Sequence, residues 1–295
     1  MSERPLQIYQ YIFCLRPFRL SPVFPDPSGF WQHVSHRESA CQRIIYRISS
    51  SLSLVISRRV IILKLARDLY SHRRFLYIRG KMKKIELMVF DFDGTLVYSG
   101  DDLANSVNHT LKKLGIPVLD KKTIIGFVGD GVARLIGRSL GDKHHEIFDE
   151  AMEIFKAHYA EHLLDTTVLY PGVPDMLEHF KNRKKLIVTN KLYSYTLKIA
   201  EELGIDGYFE DIIGADSVSC RKPDPGLLIP LLKEYGAEKR HTVVIGDGVN
   251  DILLAKNTGT LSCALLNGLG DRDRLLSLDP DYHCEDISEL KELFE

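Results

Sequence analysis

The chain has 295 residues, 44% hydrophobic and 27% charged, with a net charge of -1 at pH 7. That is room for one large domain or two ordinary ones around a substantial core, and the near-neutral balance argues against a nucleic-acid or membrane-surface protein. The average hides a division at Met82: the residues before it carry 14 Lys and Arg against 4 Asp and Glu, those from it onward 25 against 36.

The basic segment 1–81 holds 12 Arg and only 2 Lys, is rich in Ser and has broken periodicity, so it is expected to be disordered. Two readings stay open. Its composition is that of an organellar transit peptide. Alternatively it is translated sequence ahead of a start at Met82, because Met82-Lys83-Lys84 runs straight into the first apolar run and the segment is then no part of the native protein. Its apolar stretches are cut by Arg47, Arg58, Arg59 and Lys64, so none reaches the roughly 18–20 residues of a spanning helix. Five scattered cysteines without close spacing point to a reducing compartment, the cytoplasm, or an organelle if 1–81 is a transit peptide.

From Met82 onward short apolar runs alternate with segments of helical period. A run over 85–90 reads as a buried strand ending in Asp91. The stretch 98–170 that follows carries helical patterns at 101–114, 121–125, 131–140 and 143–164, broken at Gly115-Ile116-Pro117 and Gly141-Asp142, and is expected to be an inserted helical cap. Helices are then expected at 173–182, 193–203, 225–235 and 249–258, and strands at 185–188, 211–213, 242–245 and 261–265. This alternation predicts a doubly wound α/β core, a parallel sheet covered by helices, built from 82–97 and 171–295.

In such a sheet, ligands bind beyond the carboxyl ends of the strands. Four strands end in polar groups: Asp91-Phe92-Asp93-Gly94-Thr95, Thr189-Asn190-Lys191, Lys222 ahead of Pro223-Asp224-Pro225, and Gly246-Asp247-Gly248-Val249-Asn250-Asp251. Carboxylates converging there would repel by roughly 4 kcal/mol per pair at 4 Å and an effective dielectric near 20. A cation must sit among them, and a hard oxygen set without Cys points to Mg2+ and so to a phosphate group. Lys222 and Thr189 offer a charge and a hydroxyl to that phosphate, Asp91 can attack phosphorus, and Asp93 can act as general acid and base.

These four motifs, in this order from Met82 to the C-terminus, resemble those of the haloacid-dehalogenase superfamily. The resemblance implies a Rossmann-like core, Asp91 as nucleophile, Asp93 as acid/base, and a metal held by Asp91, Asp93 and Asp247 with support from Asp251. It implies phosphoryl binding by Thr189, Asn190 and Lys222, and Asp at position 93 separates the chain from the dehalogenase branch. Tyr170-Pro171-Gly172-Val173, the Val188-to-Lys191 motif and Gly129-Asp130-Gly131 with Leu135 look like phosphoglycolate phosphatases, although Tyr98 and Gly248 stand where relatives often have Asp and Ser. On this likeness the substrate is a small phosphorylated metabolite, and Gly129, Asp130, Gly131 and Arg134 are candidates for selecting it. A pyrophosphatase, a sugar-phosphate phosphatase, a β-phosphoglucomutase-like phosphotransferase and a non-catalytic phosphate-binding protein are the competing readings. Asp101, Asp102 and Asp224 read as turn or cap residues, and the His158-x-x-Glu161-His162 pattern as the polar face of a cap helix rather than a zinc site.

Overall fold

The computed structural model describes residues 82–295, so the expectations for 1–81 lie outside the described residues. Strand β1 (Leu87–Phe90) is followed by a two-residue strand β2 (Val97–Tyr98) and the helices α1 (Gly100–Lys113), α2 (Lys121–Ile125), α3 (Val132–Leu140) and α4 (Phe148–Glu161). Next come β3 (Val168–Leu169), α5 (Val173–His179), β4 (Lys184–Val188), α6 (Tyr193–Glu202), β5 (Asp211–Ile213) and α7 (Pro225–Glu234). The chain closes with β6 (Thr242–Gly246), α8 (Val249–Thr258), β7 (Leu261–Leu265), α9 (Arg272–Ser277), β8 (Tyr282–Cys284) and α10 (Leu290–Leu293).

Six strands form one parallel sheet in the order β5-β4-β1-β6-β7-β8. Counted along the sheet's own strands this is 3-2-1-4-5-6, the doubly wound order, with its switch point beside β1. Both faces are covered, which is why the inner strands are continuous apolar runs rather than alternating ones. Met88, Phe90, Ile187, Val243 and Ile245 pack with Val173, Met176 and Ile199 of α5 and α6. Leu87, Val89, Leu186, Val188 and Val244 turn the other way, onto Leu228 and Leu232 of α7 and Leu254 of α8.

The inserted helical cap is present, with three differences from expectation. The helix expected over 143–164 is split: Asp142–Ile147 forms a 3-10 turn with no buried residue, non-helical at His144, and the α-helix starts only at Phe148. Its polar Asp142-Lys143-His144-His145 run has no apolar side chain to anchor a helix face. Second, β2 and β3 pair antiparallel, Val97 with Leu169 and Tyr98 with Val168, where the chain leaves and rejoins the core. Two residues per strand are too few for any periodicity to register. Third, β8 forms a sheet edge from Tyr-His-Cys, a sequence without strand signal.

Asp224 caps α7, accepting from the Gly226 N–H at 2.8 Å. Asp102 does something else. Buried in the first turn of α1, its carboxylate accepts from the N–H and hydroxyl groups of both Thr166 and Thr167, at 2.6–3.1 Å, so it ties the outgoing chain to the returning one. Asp102→Ala strands the buried donors of Thr167 and gives up the bonds to the more exposed Thr166, and urea denaturation is expected to register a loss of about 3 kcal/mol.

The His158-x-x-Glu161-His162 helix needs no metal: His158 stacks between His109 and His162, at 3.9 and 4.2 Å, and its Nδ1 meets Ser106 Oγ at 3.0 Å. No helix among the described residues is long and apolar enough to cross a membrane.

Candidate active site

β1 lies between β4 and β6, so the loop leaving it opens at the switch point, where crossovers run to opposite sides and leave a crevice. Asp91 begins that loop, its N–H donating to Ile245 O at 2.9 Å. Its Oδ1 accepts from the Phe92 N–H at 2.7 Å and lies 2.7 Å from Lys222 Nζ. Asp93 points elsewhere: its carboxylate accepts from Ser99 Oγ at 2.5 Å and from Lys191 Nζ at 3.0 and 3.2 Å. Directly after Asp93 the chain turns at Gly94, with φ +83°, and a Cβ there would come within 2.1 Å of Asp247 Oδ2. Glycine is required on both counts, backbone conformation and approach to the next acid.

Asp247 follows β6 and is almost wholly buried, accepting from Thr95 Oγ1 at 2.8 Å and from the Leu269 and Gly270 N–H groups at 2.8 and 3.1 Å. Asp251 sits in the first turn of α8, where it accepts from the Gly248 N–H at 2.9 Å and from Lys222 Nζ at 2.7 Å. Carboxylate oxygens of Asp91, Asp247 and Asp251 lie within 4.8 Å of one another, the only such potential ligand trio among the described residues. At that spacing each like-charged pair costs roughly 3–4 kcal/mol at an effective dielectric of 20.

Protonation behaviour reflects this crowding. Burial, and then the Asp91 charge, push Asp247 up to about 6. Burial and Asp91 push Asp251 up as well, more strongly than Lys222 pulls it down. Burial opposes the Lys222 charge, but Asp251 and Asp91 outweigh it and raise the ammonium's pKa, so it stays charged. Four carboxylates (Asp91, Asp93, Asp247, Asp251) thus face two ammonium groups, Lys191 and Lys222. The deficit of two positive charges and the all-oxygen donor set fit one hard divalent cation.

The end of β4 supplies the opposite wall. Thr189 is buried, its N–H bound to Ile213 O and its Oγ1 accepting from the Lys191 N–H at 3.2 Å. Asn190 is present but its amide is occupied: Nδ2 donates to Gly129 O at 3.0 Å and Lys222 O at 3.3 Å, and Oδ1 accepts from the Lys222 N–H at 3.1 Å. It fastens loops rather than offering a free side chain. Lys191, singled out by no role in the sequence reading, is 8% exposed and donates to Asp93 and, at 2.5 Å, meets Tyr159 Oη on α4. Burial pulls this ammonium's pKa down, but Asp93 and Tyr159 outweigh it, and burial pushes the Tyr159 phenol up to about 12.

The cap meets this wall through Gly129-Asp130-Gly131. Gly129 O accepts from Asn190, and Asp130 Oδ1 from Asn250 Nδ2 at 2.7 Å. Asp130 also pairs with Arg138 and stands 3.8 Å from Arg134, whose side chain is 69% exposed. A cavity between cap and core is lined by Asp91, Asp93, Gly129 and Gly131, by Thr189, Asn190 and Lys191, and by apolar cap residues including Leu135 and Phe155. Arg134 is not part of that lining.

A family model for haloacid dehalogenase-like hydrolases matches residues 88–265. The chain belongs to this family. It is 33% identical over 219 residues to a phosphoglycolate phosphatase of Chromobacterium violaceum, covering 72% of this chain and 97% of that one. A phosphoglycolate phosphatase of Colwellia psychrerythraea is 36% identical over 219 residues, covering 71% and 97%. Among solved structures, a predicted phosphoglycolate phosphatase from Haemophilus somnus superimposes with a TM-score of 0.68 at 28% identity, covering 71% of this chain and 98% of its own. A haloacid dehalogenase-like family protein from Streptococcus pneumoniae gives 0.63 at 30% identity, covering 68% and 94%. The fold anticipated from the four motifs, a Rossmann-like core with an inserted helical cap, is the fold of this family's hydrolases.

Proposed function

We propose that this hydrolase is a Mg2+-dependent phosphatase that cleaves phosphoglycolate through an aspartyl-phosphate on Asp91. The observation that carries the reading is the grouping of Asp91, Asp247 and Asp251 against Lys222 at the switch point. The relatives named phosphoglycolate phosphatase, matched over nearly their whole length, support the substrate. The chain is a phosphoric monoester hydrolase, and the cytoplasm is the setting that its cysteine pattern favours.

In this mechanism Thr189 and Lys222 bind the transferring phosphoryl group while Asn190 fixes the two loops that carry them. An Asp91 carboxylate oxygen attacks phosphorus and the bond to the leaving oxygen breaks. Asp93 protonates that oxygen, then takes a proton from the water that attacks the phosphorus of the acyl phosphate and restores Asp91. Asp91, Asp247 and the Asp93 carbonyl would hold magnesium, with Asp251 behind them. The ion supplies neutralisation of carboxylate and phosphate charge. Lys222, 2.7 Å from Asp91 Oδ1, places a positive charge beside the attacking carboxylate.

The raised acids give a prediction for metal removal. In the unfolded chain Asp247 and Asp251 ionise near the ordinary 3.8, whereas folding holds their protons to about 6 for Asp247 and also raises Asp251. Without metal, the contribution of these two acids to stability is therefore greatest below the unfolded pKa and is lost as pH rises through the window to about 6, since the unfolded chain gives up its protons first. A divalent cation offsets this loss. Calorimetric scans are expected to show a magnesium-induced rise of roughly 5–10 °C at hundredfold saturation and pH 7.5, and a much smaller one at pH 5. An equal rise at both pH values would contradict the assignment of these acids to the metal.

The substrate reading is tested by phosphate release from a panel with and without magnesium: phosphoglycolate, pyrophosphate, sugar phosphates and simple alkyl phosphates. The expected outcome is magnesium-dependent release, fastest from phosphoglycolate. A faster release from another ester moves the substrate and keeps the chemistry.

A further inference from the structure

We infer that Lys191 is the residue that recognises the carboxylate on the substrate's leaving group, a deepening that rests on the phosphoglycolate reading above. Away from Asp91 and Asp93 the cavity is walled by Leu103, Val128, Val132, Leu135 and Phe155. A carboxylate placed among these without a partner carries a large desolvation penalty. Among the described residues, Lys191 is the only basic side chain in the lining of this cavity. Lys222 is committed to Asp91 and Asp251, and Arg134 turns outward toward Asp130.

The position of Lys191 fits a two-carbon leaving group. Asp93 has to meet the leaving oxygen, and in phosphoglycolate a single methylene separates that oxygen from the carboxylate. Lys191 Nζ lies 3.0 Å from Asp93 Oδ1, so an ammonium neighbouring the acid is within reach of a carboxylate neighbouring the oxygen. Tyr159 anchors it from the cap, with the hydroxyl at 2.5 Å and the ring centroid at 4.7 Å. An ammonium has three donors and no acceptor. In the form that delivers its proton to the leaving oxygen, Asp93 carries no charge for Lys191 to pair with, so the lysine exchanges Asp93 for the substrate carboxylate and the buried ammonium keeps a counter-charge. A substrate without the carboxylate leaves Lys191 short of a partner at that moment, which makes this exchange a source of selectivity.

The test compares phosphoglycolate with ethyl phosphate, which carries a methyl in place of the carboxylate, on the full-length wild type and Lys191→Met. The readout is the ratio of kcat/KM values on one preparation, from which the folded fraction cancels. The wild type is expected to favour phosphoglycolate, and Lys191→Met to cut the ratio roughly 100-fold, mainly through KM. Lys191→Gln, which keeps hydrogen bonds to Asp93 and Tyr159 without the charge, is expected to cut it similarly and replaces the Met variant if that does not fold. Equal losses on both esters would mean that Lys191 serves only Asp93 and would overturn the proposal while leaving the substrate reading in place. A wild type with no preference for phosphoglycolate removes the substrate reading itself, and the proposal with it.

Discussion

Replacing Asp91 by asparagine is expected to lower kcat for phosphate release by at least ~10^4-fold while leaving a folded protein. The change is nearly isosteric, so the backbone turn toward Gly94 is undisturbed, and an amide oxygen can still accept from the Phe92 N–H. What disappears is the charge that attacks phosphorus. Lys222 keeps Asp251 as a partner at 2.7 Å, and Asp247 and Asp251 are relieved of the Asp91 charge that helps to raise both. Initial rates at saturating phosphoglycolate, with circular dichroism on the same sample, separate lost chemistry from lost structure. Substantial turnover by the folded variant would remove Asp91 from the nucleophile's role.

Replacing Lys222 by methionine is expected to damage both stability and activity. The side chain is 1% exposed and bridges Asp91 and Asp251. Methionine fills much of its volume but leaves two buried carboxylates facing Asp247 with no counter-charge. Removing one partner of a buried ion pair costs about 3–5 kcal/mol. The cost is expected to be larger at pH 8 than at pH 5, because at the lower pH the crowded acids can hold protons and shed the charge. Urea unfolding at the two pH values reads that difference. Added magnesium should return part of the stability but not kcat, which falls roughly 1,000-fold for want of the charge on the transferring phosphoryl group. Lys222→Arg is a poor rescue, since a planar guanidinium does not fit the compact gap between two carboxylates that a single ammonium fills.

Most of the core was legible because each inner strand is a continuous apolar run that ends in a polar motif. The run at 242–245 with Asp247 two residues beyond it gives both β6 and its site residue, and the helical period over 249–258 matches the observed helix Val249–Thr258. Legibility failed where structure is held by partners distant in sequence. The β2–β3 ribbon joins residues about seventy positions apart, and each strand spans only a single alternation, too little to register as a pattern. Asn190 sat in the right motif, but its amide is taken by the backbones of Gly129 and Lys222, which no local pattern announces. Lys191 was visible as the last residue of the Thr189-Asn190-Lys191 strand end. Its partner Tyr159 was not, because a buried tyrosine on a cap helix looks like any other core position until the cap is folded over the sheet.

The covalent intermediate is the most direct measurement of the central claim. The full-length protein is mixed with phosphoglycolate and magnesium, quenched in acid within a turnover, and reduced with borohydride, which converts an aspartyl phosphate to homoserine. Peptide mass spectrometry is predicted to find homoserine at position 91, dependent on substrate and absent from Asp91→Asn. Homoserine at another position, or an unmodified Asp91 in protein that is turning over, would contradict phosphoryl transfer through this residue.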